Sequence, residues 1–113
     1  MEMMNIKTTI ELDFSEIKDT DQLYEALAKK IGFPDGYGKN VDAVIDCLFG
    51  LRYPEEGMTK ISIVPSERII IQTKNITSAQ QNLRETLIFI VEFVNYKCKF
   101  KETPSSILLL LER

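Results

Sequence analysis
From Thr8 to Phe14 the chain alternates: Ile10, Leu12 and Phe14 fall on one side, and Thr9, Glu11 and Asp13 on the other. A period of two places successive side chains on opposite faces, so this stretch predicts a half-buried strand. The period then lengthens. Leu23, Leu27 and Ile31, with Tyr24 and Ala28 beside them, form a helical stripe that Asp19 or Thr20 can cap and that should end near Gly32. Phe33-Pro34-Asp35-Gly36-Tyr37-Gly38 is dense in turn formers, after which Asn40 can cap a second helix running to about Leu51. Ile69-Ile70-Ile71, within Arg68 to Thr73, reads as a strand buried on both faces, and Thr59 to Val64 alternates well enough to form an extra one. A long helix should start at Thr77 or Ser78 and reach Tyr96, with Leu83, Leu87, Ile90 and Val94 inward, before a short strand over Ile107 to Leu111.

The order strand, helix, helix, strand, helix, strand favours an α/β fold, a small three-stranded parallel sheet packed with helices. At 113 residues, with no interior linker-like tract, residues 1–113 read as a single domain. Met1 to Ile10 lacks the basic and apolar pattern of a secretory leader, and no apolar run reaches membrane-spanning length, so the expectation is a cytoplasmic protein without membrane contact. Cys47 and Cys98 fit reduced core thiols in that compartment. Tyr24 and Tyr53 are read as packing residues, and Lys97, Lys99 and Lys101 as a solvated cluster rather than a nucleic-acid site.

Charge alters this picture. Glu11 to Glu56 holds eleven acids against five bases, whereas Gly57 to Arg113 holds five against eight. An acidic first half points to a cationic partner. On the second helix Val41, Val44, Cys47, Leu48 and Leu51 form a face for the core, while Asp42, Ile45, Asp46 and Phe49 recur at spacings of three and four on an adjoining stripe. Carboxylates four apart repel, and Asp46 lies toward the negative end of the helix dipole. A cationic partner would relieve both costs. Catalysis has little to work with: there is no histidine, no phosphate-binding glycine loop and no cluster with metal-ligand spacing, so neither an enzyme nor a cofactor is expected.

The string from Phe33 to Leu48 closely resembles the signature of the barstar family: Tyr37, Gly38, Asn40, Asp42, Ala43, Asp46, Cys47 and Leu48 each match, and Gly50 and Tyr53-Pro54 also fit. The resemblance implies an intracellular inhibitor that forms a 1:1 complex with a basic ribonuclease toxin and protects the cell as an immunity protein. It implies that the second helix and the loop before it enter the nuclease cleft, with carboxylates in place of RNA phosphates. Asp46 would be the central mimic and Asp42 its companion. Tyr37, Gly38 and Asn40 would belong to the contact loop, Ile45 and Phe49 would flank the acids, and Gly50 would permit close approach. Glu92, six residues before Cys98, would supply a further acidic contact from the long helix. Gly36, Lys39 and Ile45 depart from the family prototype, which has an aromatic, an acid and a tryptophan there. These departures point to a different nuclease or a weaker grip. The competing expectation is a barstar-like binding module whose partner is not a ribonuclease.

Overall fold
A computed structural model of the chain describes residues 4–113. Met1 to Met3, the start of the segment searched for a leader, lie outside the described residues. The order is β1 (Asn5–Asp13), α1 (Thr20–Ile31), α2 (Val41–Phe49), β2 (Glu67–Lys74), α3 (Gln81–Phe100) and β3 (Ile107–Leu111), with short 3-10 turns at Gly50–Arg52, Pro54–Glu56 and Ile76–Ser78. The sheet is three-stranded and wholly parallel, ordered β1-β2-β3, with Ile10 opposite Ile71 and Ile71 opposite Leu109. The α/β architecture is therefore the one the periodicity predicts.

Local chemistry sets the boundaries. The Asp19 carboxylate accepts from the Gln22 backbone N–H at 2.8 Å, making Asp19 rather than Thr20 the cap of α1. Gly32 closes that helix in the left-handed conformation at φ 88°, where a side chain would be strained, and its N–H donates to the Ala28 carbonyl. The long helix starts later than predicted and ends later. Ile76–Ser78 forms a tight turn and Ala79 is extended, so α3 begins at Gln81 and continues one turn beyond Tyr96 to Phe100.

Two strand expectations are corrected. Thr59 to Val64 is irregular and joins no sheet. Its N–H groups are satisfied elsewhere: Lys60 and Ile61 donate to the Ile31 carbonyl at the end of α1, and Ile63 donates to Leu51. In β2 only alternate residues are buried. Ile69, Ile71 and Thr73 face the core, while Ile70 and Gln72 stay half-exposed and Leu108, opposite Ile70 on β3, is exposed. The β1 face bearing Ile10 and Leu12 is covered, and the face bearing Thr9 and Glu11 is exposed. Among the described residues this parallel sheet is covered on one face only, which the triple-isoleucine run could not reveal, because apolar content does not say which neighbours exist.

The core is continuous from the sheet face through α1 and α3 to the inner side of α2. Two polar residues hold its edges. Asn95 on α3 donates to the Ile107 carbonyl at 2.8 Å and accepts from the N–H groups of Ser106 and Ile107, fixing where β3 begins. The Arg52 guanidinium donates to the carbonyls of Pro104, Glu67 and Ser105, tying the turn after α2 to the entries of β2 and β3. Cys47 and Cys98 are free and buried.

Candidate functional site
The site is built on α2 and the loop that aims it. Asn40 is its N-cap: the side-chain oxygen accepts from the Ala43 N–H at 2.8 Å while its amide donates to the Gly38 carbonyl. Gly38 sits at φ 98°, and a Cβ there would lie 3.3 Å from that of Ala43, so both backbone and space call for glycine. Tyr37 packs edge-on against Phe33, with ring centroids 5.2 Å apart and planes at 70°. Its hydroxyl is buried without a hydrogen-bond partner, and burial, reinforced by the nearby Glu25 carboxylate, raises its pKa. Tyr37 and Asn40 thus have internal work to do: they hold the loop and start the helix.

From that start, α2 packs against both α1 and α3. A helix flanked on two sides buries a wide arc, and here Val44, Ile45, Cys47 and Leu48 span about 160° of its circumference. Ile45 is therefore corrected: at 4% exposure it belongs to the core and not to the outer stripe. Gly50 is buried as well. A Cβ there would lie 2.7 Å from that of Met58, so the close approach it permits is that of the chain's own following segment.

The exposed residues of α2 are Asp42 and Asp46, with Val41, Ala43 and Phe49 half-buried. Phe49 leans on Tyr53, centroids 5.3 Å apart. Asp46 is not isolated: Lys97, from the extra turn of α3, places its ammonium 3.2 Å from Asp46 Oδ1 and 4.8 Å from the centre of the Phe49 ring. Beside this group is a shallow cleft of about 280 Å³ lined by Phe49, Phe93, Tyr96, Lys97, Phe100 and Lys101. Phe93, Tyr96 and Phe100 are 41%, 59% and 77% exposed, an aromatic stripe on the outside of α3. Glu92 is exposed on the same helix but lies about 140° around it from Lys97, since five residues turn an α-helix through one full turn and that much more. The structure thus groups Asp42, Asp46 and Phe49 with Lys97 and the α3 aromatics, while Glu92, one turn before Tyr96, borders the outer edge of that aromatic stripe, away from Lys97. Phe93, Tyr96 and Phe100 were not picked out from sequence, and Lys97 was read there only as part of a solvated lysine cluster. The aromatics' signal was present in the recurrence of Phe89, Phe93, Tyr96 and Phe100 at three and four, about 120° around the helix from the buried Leu83-Leu87-Ile90-Val94 stripe.

Burial pushes the Cys47 thiol up to about 11, with the adjacent Asp46 charge adding to the effect. It is a packing group, not a nucleophile. No group of three or more Cys, Asp or Glu side chains among the described residues is arranged to hold a metal ion, and no helix there is long and apolar enough to cross a membrane.

The family model described as "Barstar (barnase inhibitor)" matches residues 7–109. The chain belongs to the barstar family. The matched range includes 55–68 and 99–105, segments that the local signature did not reach. A Bacillus subtilis (strain 168) protein named "Putative ribonuclease inhibitor YrdF" is 42% identical over 39 residues, which cover 34% of this chain and 43% of that protein. The alignment thus spans less than half the length of this relative.

Proposed function
We propose that this barstar-family chain is a ribonuclease inhibitor, not an enzyme, and that it acts in the cytoplasm by inserting α2 into the active-site cleft of a basic nuclease in a 1:1 complex. The observation that carries the reading is the pairing of family membership over residues 7–109 with two exposed carboxylates, Asp42 and Asp46, on a helix whose other faces are committed to the core. A ribonuclease cleft is cationic because it binds phosphates, so carboxylates on a rigid helix can take the phosphates' place. Asp46, one turn after Asp42 and beside the Phe49 ring, is the central anchor in this proposal. Tyr37, Gly38 and Asn40 set the angle at which the helix is offered. Phe49 supplies apolar contact, and Glu92 would meet the partner only if the interface wraps around α3.

The test is RNA cleavage by barnase, and by a panel of other basic ribonucleases, with increasing amounts of the purified chain. Inhibition that Asp46→Ala weakens by about tenfold or more, while Glu16→Ala in the exposed turn between β1 and α1 leaves it unchanged, is the expected result. Equal losses at the two positions would remove Asp46 as the anchor. Failure of the wild-type chain to inhibit any of the panel would overturn the inhibitor reading and leave a barstar-fold module with another partner.

A further inference from the structure
Lys97 makes two contacts that its own fold does not require. The side chains of the pair remain open to solvent, Lys97 at 32% and Asp46 at 63% exposure, and an ion pair so placed returns little stability for the freedom it removes from a lysine. Yet the ammonium meets both outward features of α2 at once, the Asp46 carboxylate at 3.2 Å and the face of Phe49 at 4.8 Å. A carboxylate beside an exposed aromatic face is a receptor for a cation, held by charge on one side and by the ring's electron-rich face on the other. In the free protein that receptor is filled from within.

We infer that Lys97 is an internal stand-in for a cationic side chain of the nuclease, and that binding exchanges the one cation for the other at Asp46 and Phe49. The inference rests on the ribonuclease-inhibitor reading and names the residue that tunes it. Two cations cannot share one exposed carboxylate without repelling each other, so the partner's must displace Lys97. Nothing in the backbone has to move: Lys97 lines the open cleft with Phe93, Tyr96 and Phe100, and its flexible four-carbon stem can swing the ammonium across that cleft into water. The exchange also selects. A guanidinium presents two parallel N–H groups to a carboxylate and lies flat on a ring, where the ammonium it replaces is a point charge, so an arginine gains from the exchange and a lysine roughly breaks even. Lys97 thereby raises the threshold that a partner must exceed.

The experiment measures association and dissociation rates with barnase or, should barnase not bind, with the first ribonuclease that the chain inhibits. Lys97→Met keeps the stem and removes the charge, and Lys99→Met, the same charge change at an exposed position two residues on, reports the long-range field alone. Lys97→Met should bind about three- to tenfold tighter than wild type, the combined scale of one exposed ion pair and one cation–π contact, and Lys99→Met should fall well short of it. In an Asp46→Ala background the advantage of Lys97→Met over Lys99→Met should vanish. Equal gains from the two methionine variants, or weaker binding by Lys97→Met, overturn the exchange while leaving inhibition intact. Binding of no ribonuclease by the wild-type chain overturns the inhibitor reading, and the exchange with it.

Discussion

Ile45 separates a contact role from a core role, and its cost can be worked from the structure. Replacing it by alanine removes three buried carbons at a position 4% exposed, worth about 2.4 kcal/mol at roughly 0.8 kcal/mol each. The cavity left between α2 and its neighbours adds to this, and the better helix propensity of alanine returns roughly 0.4 kcal/mol. The net expectation is a loss of about 2.5–4 kcal/mol, with Ile45→Val losing about 0.5–1.5 kcal/mol. Urea unfolding followed by helix circular dichroism gives both values from the shift in midpoint at unchanged slope. Binding to the nuclease, measured where both variants remain folded, should stay near wild type. A stability loss below about 1 kcal/mol for the alanine variant, or a large loss of affinity with stability intact, would refute the placement of Ile45 in the core.

Three other outcomes follow from particular contacts. Asn40→Ala deletes the cap of α2 and should cost about 1 kcal/mol, lowering Tm by roughly 3–7 °C in a scanning calorimeter, whereas Asn40→Asp keeps the acceptor and should cost less. Arg52→Met leaves the carbonyls of Pro104, Glu67 and Ser105 without their shared donor and should cost about 2–3 kcal/mol in urea unfolding; a neutral result would show that the guanidinium does not tie the strand entries together. The Asp13 carboxyl, which accepts from the Asn75 side chain and then from the Ser15 N–H, is held below its usual 3.8. Its ionised form is favoured in the folded state, so the stability it contributes is present above pH 3.8 and lost as the pH falls through the lower folded value. The stability gap between wild type and Asp13→Asn should therefore narrow on acidification below that point, and a gap constant with pH would contradict the hydrogen bonding described.

Much of this molecule could be read without coordinates, for identifiable reasons. The alternation of Ile10, Leu12 and Phe14, the spacing of Leu23, Leu27 and Ile31, and the capping chemistry of Asp19, Gly32 and Asn40 are local, because strand and helix periods and the first-turn N–H groups are satisfied within a few residues. The exposed Asp42 and Asp46 were legible for the same reason. What only the tertiary structure decided is where neighbours lie. Ile45 is apolar on a stripe that could face either way, and it was the flanking of α2 by both α1 and α3 that buried it. Thr59 to Val64 has a strand's alternation, yet its N–H groups found the end of α1 before any sheet edge. Lys97 and Asp46 are 51 residues apart in the chain, and the distance between them was set by α3, with its extra turn, packing along α2. Periodicity constrains how each element faces itself; which surfaces it meets depends on the packing of the whole chain, which no local pattern contains.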